Sequence, residues 1–185
     1  DEANNAYNPN SPLAINSFVD IDPGLGNSIQ LNELIDSAHQ KNIKVLIEWY
    51  FSSTGPHHKW RTDKPQYYLS DQKMKDNRYN PDYVKLNLTN KSLQHDLINS
   101  LRTFINNNHF DGVVFYNLDQ MSKEFIEEIV ETVKSIRPML VINHSNSFLK
   151  ECDYNMNNNL YERFVQAYDG KLSVKEFDPM MDTIC

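Results

Sequence analysis

The chain has 185 residues, of which 39% are hydrophobic, 23% charged and 11% aromatic, enough apolar material to bury a core and to exclude wholesale disorder. Lys plus Arg number 18 against 25 Asp plus Glu, a net charge of -7 with no basic stripe, so nucleic acid is not an expected partner. No apolar run approaches the roughly 18 residues of a membrane span, so no transmembrane segment is expected in this chain, and Asp1 to Asn5 lack the basic and apolar regions of a signal peptide.

From Ser28, the apolar residues Ile29, Leu34, Ile35 and Ala38 recur at helical spacing behind Asn27 as cap, and Lys41-Asn42 ends the segment. Lys44 to Phe51 is short, β-branched and aromatic, and predicts a buried strand. Residues 52–85 carry Gly55, Pro56, Pro65, Pro81 and paired histidines without a sustained period, and read as a long excursion or small subdomain. Leu93, Leu97, Ile98, Leu101, Phe104 and Ile105 mark a second helix, entered through Asn90 or Ser92. Asp111 to Tyr116 predicts a strand, Phe125 to Ile136 a helix stopped by Pro138, and Met139 to Ile142 a strand. Apolar strands each preceded by an amphipathic helix indicate an α/β fold with parallel strands.

Several chemistries are missing. Neither GxGxxG nor GxxxxGK[ST] occurs among the five glycines, so no cofactor is expected. No HExxH occurs and the histidines are scattered, so no metal site is expected. Glu151 and Asp153 flank Cys152 and disfavour a thiolate there, and no GxSxG elbow exists. Cys152 and Cys185 leave open pairing with each other, pairing elsewhere, or free thiols. Sequons at Asn87, Asn90 and Asn143 predict glycosylation and an extracellular or cell-surface location. Parallel α/β folds place their sites at strand C-terminal ends, here Ser52-Ser53-Thr54, Asn117 with Asp119, and Asn143-His144-Ser145. The carboxylates near those ends are Glu48, Asp119 and, more distantly, Glu151.

The run Asn16 to Gly26, NSFVDIDPGLG, resembles the DYxxIDPxxG segment of the α-amylase family, glycoside hydrolase family 13. Asn42 to Glu48 is similar to that family's GIxVILD, Ser52 to Trp60 to NHTSxxHxW, Leu86 to Asn90 to DLNxxNP, and Phe110 to Tyr116 to VDGFRxD. The matches lie in family order and spacing over residues 13–145. The resemblance implies a (β/α)8 TIM barrel of α-amylase type, with residues 52–85 as a shortened form of the family's second domain. A complete barrel takes about 250 residues, so residues 1–185 are expected to hold only part of it, the remaining strands lying in another segment or partner chain.

The departures bear on function. Where the family carries its arginine and nucleophilic aspartate stand Val114 and Tyr116, and Asn143 stands where its general-acid glutamate is expected. Ser52 and Ser53 replace an asparagine and histidine, and Ser17 a substrate-facing aspartate. Retaining hydrolysis needs two carboxylates about 5 to 5.5 Å apart. A tyrosine nucleophile needs an adjacent base, and the sequence alone places no carboxylate beside Tyr116. The fallback is a shifted register with Asp119 as nucleophile and Glu48 or Glu151 as acid.

Without those carboxylates the chain resembles the non-catalytic amylase-like heavy chains of heteromeric amino-acid transporters, glycoproteins in which the barrel is chaperone and docking partner for a light chain. The alternative is a secreted α-glucosidase or maltase-like protein, active through relocated carboxylates or an inactive sugar-binding relative. For carbohydrate, the candidate cleft comprises Trp49, Tyr50, Ser52, Ser53, His57, His58 and Trp60, with Tyr67 and Tyr68 nearby. The competing expectation is that these aromatics pack beneath the excursion.

Overall fold

The computed structural model describes residues 15–69, 83–145, 147–156 and 158–171; Leu13, Ala14, Pro81 and Cys185, on which parts of the sequence reading fell, lie outside the described residues. Helix α1 (Ser28–His39) opens on a capping box: the Asn27 side chain accepts from the amides of Ile29 and Gln30, and the Asn27 N–H donates to the Gln30 side chain. It closes where Asn42 takes the left-handed conformation, φ 58°.

Strand β1 (Leu46–Tyr50) follows, then β2 (Ser53–Thr54), the single turn α2 (Trp60–Asp63), a 3-10 turn at Pro65–Tyr67, and β3 (Val84–Lys85), which pairs antiparallel with β2. The described part of the excursion has no separate core: Tyr67, Tyr68 and Leu86 join the main buried cluster. Lys64 and Tyr67 both bond Asp96 on the next helix, tying the excursion down. That helix, α3 (Lys91–Asn107), is capped by Asn90, which accepts from the Leu93 amide. Strand β4 (Gly112–Tyr116), a 3-10 turn at Leu118–Gln120 and α4 (Lys123–Ile136), capped by Ser122, come next.

Strand β5 (Leu140–His144) runs two residues past the expected end at Ile142. Two further elements, β6 (Tyr154–Met156) and α5 (Asn158–Tyr168), have no apolar run in the sequence to announce them. The order of the larger sheet is β1-β4-β5-β6, and every ladder in it is parallel. Its register aligns Glu48, Val114, Ile142 and Tyr154 in one row, and Tyr50, Tyr116, His144 and Met156 two residues further on.

Alternation then separates two faces. Trp49, Phe51, Val113, Phe115 and Val141 point toward α3 and α4 and are buried, with Trp49 against Phe104 and Phe51 against Phe125 at ring separations of 5.6 and 6.0 Å. The other face, the one a barrel turns inward, is half-open: Tyr154 is 61% and Met156 46% exposed. Gly112 sits on it where Leu46 and Leu140 converge, and a Cβ there would meet the Leu140 carbonyl oxygen at 2.6 Å and the Leu46 side chain at 2.8 Å.

The N-terminal ends of the strands are pinned by a repeated device. Asp111 accepts from the Val45 amide and from Lys44, each at 2.8 Å, and bonds His39 at 2.7 Å, while its own amide donates to Val45. Two ladders further on, Asp153 accepts from the Val141 amide and Lys134, each at 2.8 Å, and its amide donates to Val141. Burial alone would raise the Asp111 carboxyl, but its donors, Lys44 foremost, draw it down to about 2.

Candidate functional site

At the C-terminal ends of the strands three rings form a ladder: Tyr50 stacks on Tyr116 with centroids 4.4 Å apart, and Tyr116 meets His144 at 4.3 Å. The parallel register dictates this, because the three residues are direct cross-strand partners. Below it, Glu48 lies diagonally from Tyr116, and the Tyr116 hydroxyl donates to the Glu48 carboxylate at 3.0 Å. Tyr116 thus has beside it the carboxylate that the sequence alone does not place there. The available signal was that Glu48 precedes the end of its strand by two residues, the diagonal reach of a long side chain once the strand ends align. Burial, and then the neighbouring Glu48 carboxylate, push the Tyr116 phenol far above the ordinary tyrosine range, so it stays neutral. Tyr50 is raised in the same way, first by burial and then by Glu48.

Val114 and Tyr116 share this inward face. Asn143 does not. Because β5 continues through His144, alternation turns Asn143 to the helix-covered side, where it is 0% exposed and donates to the Ser147 carbonyl at 2.7 Å and the Asn155 side chain at 2.9 Å. The residue facing Tyr116 is His144. The same burial withdraws Asn143 as a glycosylation acceptor in the folded chain. Of the other sequons, half-buried Asn87 accepts from Thr89 within its turn, and Asn90 spends its side chain on the α3 cap and the Gln66 carbonyl.

Asp119 is exposed in the 3-10 turn that follows the left-handed Asn117, and with Glu151 it lines a cavity of about 450 Å³ beside Met121 and Phe148. Glu48 lines a different cavity, so of the two fallback pairs Asp119 and Glu48 are kept apart, whereas Asp119 and Glu151 share a cleft.

The candidate sugar cleft is not assembled as a surface either. Trp49, Ser53 and His58 are buried, and only Tyr50 of the aromatics nominated there faces inward. Trp60 packs among Phe18, His58 and Tyr67, and Tyr68 bonds Thr54 in the core. Ser52 is half-buried and its carbonyl accepts from Leu86, while His57 is exposed beside the core. The cause is a long-range pairing: Ser53-Thr54 pairs with Val84-Lys85, folding Gly55 to Trp60 back over Phe18. Burial lowers His58 to about 4, keeping it neutral while its Nδ1 accepts from the Trp60 amide.

Cys152 is a buried free thiol, pushed up to about 11 by burial and then by Glu151 and Asp153. Among the described residues no group of three or more His, Cys, Asp or Glu is placed to hold a metal ion, and no helix is long and apolar enough to cross a membrane.

No protein-family model and no curated protein matches the chain. Solved structures do. A maltogenic α-amylase, AmyB, from Thermotoga neapolitana superposes with a TM-score of 0.79 at 19% identity, covering 92% of this chain and 41% of that one. An α-amylase from Lactobacillus plantarum gives 0.82 at 18% identity, covering 99% and 48%, and a cyclomaltodextrinase 0.71 at 17%, covering 88% and 32%. The chain thus spans less than half the length of each of these structures. The parallel sheet, its outer helices and these superpositions establish the fold as part of an α-amylase-type TIM barrel.

Proposed function

We propose that this chain is a non-catalytic α-amylase-like domain that acts by docking other polypeptide, in its most specific form as the extracellular glycoprotein heavy chain of an amino-acid transporter. The observation that carries the non-catalytic part is that no carboxylic acid stands across from Tyr116 on the next strand: its partner there is His144, and Asn143 is turned to the covered side. At the position where the resemblance expects a nucleophilic aspartate stands a phenol that burial and Glu48 hold neutral, wedged between two rings. Glu48 supplies the base that a tyrosine nucleophile needs, but the second carboxyl group, which would protonate the leaving oxygen, is missing from the facing strand, where the imidazole of His144 stands. The docking part rests on the resemblance to the non-catalytic amylase-like heavy chains, in which the barrel is a docking partner.

The test is hydrolysis of maltose and of an aryl α-glucoside by the full-length protein. No turnover is expected. Turnover lost on Asp119→Asn or Glu48→Gln would overturn the reading in favour of a glucosidase with relocated carboxylates. For the transporter form, the sequence upstream should hold one apolar span of about 20 residues; a cleavable signal peptide in its place would point to the secreted alternative.

A further inference from the structure

We propose that Tyr50 and Tyr116 form an oxidative modification site: a one-electron oxidant, hydrogen peroxide acting through a haem peroxidase, joins the two rings as a dityrosine and links β1 covalently to β4. Their ring centroids lie 4.4 Å apart with the planes 10° from parallel, which puts the two phenols in van der Waals contact. Direct cross-strand pairing sets that contact, so the register of the sheet maintains it. The chain has ten tyrosines, yet among the described residues no other two tyrosine rings touch. Tyr67 and Tyr68, adjacent in sequence, are 3% and 6% exposed in the core. Tyr50 and Tyr116 are only half-buried and stand at the C-terminal ends of their strands, the end at which a TIM barrel meets its substrates.

An independent observation is the proton acceptor. A phenol gives up an electron readily only when its proton leaves with it, because the phenol radical cation is a strong acid. The Tyr116 hydroxyl already donates to the Glu48 carboxylate at 3.0 Å, so the proton has an acceptor within hydrogen-bond reach. Oxidation of Tyr116 sends its electron to the peroxidase and its proton to Glu48, which passes it to solvent; the same loss at Tyr50 sends the proton to water. The two phenoxyl radicals then form one C–C bond between ring carbons ortho to the oxygens. The hydrogens on those carbons move to the oxygens, restoring both phenols. In all, two electrons and two protons leave the pair and reduce one hydrogen peroxide to two waters. The link closes the loop from Tyr50 to Tyr116, which stabilises the sheet by restricting the unfolded chain.

The experiment treats the dilute full-length protein with peroxidase and peroxide, follows dityrosine fluorescence, and maps the joined peptides by mass spectrometry. Peroxide without the enzyme, which should leave the pair unlinked, is the control. The monomer should lose two hydrogen atoms, with the peptide containing Tyr50 joined to the one containing Tyr116, and its urea midpoint should rise. Tyr50→Phe and Tyr116→Phe should each abolish that link. Glu48→Gln, which keeps the shape of the side chain but not its basicity, should slow the link by about tenfold or more. In urea, where the ladder is lost, the Tyr50–Tyr116 link should lose its preference over other tyrosine pairs. No link, a link spread evenly over the tyrosines of the folded chain, Tyr116 joined to His144 instead, full speed in Glu48→Gln, or an equal preference in urea would overturn the proposal. None of these outcomes bears on glucoside turnover or on docking, so the two readings fail separately.

Discussion

The Tyr116 hydroxyl donates to the Glu48 carboxylate at 3.0 Å across two neighbouring parallel strands, and the same ring is sandwiched by Tyr50 and His144. The side chain at the nucleophile's position is thereby built into the wall of the sheet, its proton held and both ring faces covered. Tyr116→Phe should lower stability by only about 1 kcal/mol, the net worth of one hydrogen bond, measured by urea denaturation. Spectrophotometric titration should find Tyr116 among a late-ionising group with Tyr50, Tyr67 and Tyr68, and Glu48→Gln should bring Tyr116 part of the way back, burial supplying the remainder.

Gly112 admits the close approach of Leu46 and Leu140. Because the contact includes the Leu140 main-chain oxygen, a methyl group cannot be relieved by a rotamer change alone. Gly112→Ala should cost about 1 to 3 kcal/mol, read as a lower denaturation midpoint with the denaturant slope unchanged.

Asp111 binds a proton more weakly in the folded chain than in the unfolded one, so its contribution is complete above the unfolded value of 3.8 and is lost as pH falls toward about 2. The loss should amount to roughly 2 kcal/mol across that window. In Asp111→Asn the contribution should be missing already at neutral pH and the slope between pH 4 and 2 correspondingly shallower, in denaturation midpoints taken against pH.

His58 acts in a different window. Its folded value lies near 4 against 6.5 unfolded, so the unfolded chain takes up the proton first and stability falls as pH drops from 6.5 toward 4. His58→Asn, which keeps an acceptor for the Trp60 amide, should flatten the curve between those values. An unchanged slope would show that the imidazole is not the group titrating there.

Cys152 should resist iodoacetamide in the native protein at pH 8 and react once denaturant exposes it, because burial and two neighbouring carboxylates disfavour the thiolate. Mass spectrometry of the peptide containing Cys152 gives the answer directly.

Much of the fold was legible along the chain because its signals are local. The 3.6-residue recurrence of Leu93, Leu97, Leu101 and Phe104, the capping residues Asn27 and Asn90, and the apolar run ending at Tyr116 each depend on neighbours a few positions away. The site was less legible. Whether Asn143 or His144 faces Tyr116 depends on where β5 ends and on how it is registered against β4, and a one-residue change reverses every side chain. Glu48 reaches Tyr116 only because strands separated by 61 residues of intervening chain, from Phe51 to Asp111, finish level with each other. Trp49, His58 and Trp60 read as a surface cleft because they stand at the end of a strand, yet the pairing of Ser53-Thr54 with Val84-Lys85 folds that segment inward. Residue types and local periods are written in the chain, whereas the face each side chain takes is settled by long-range pairing, since alternation has a direction only once a neighbouring strand supplies it.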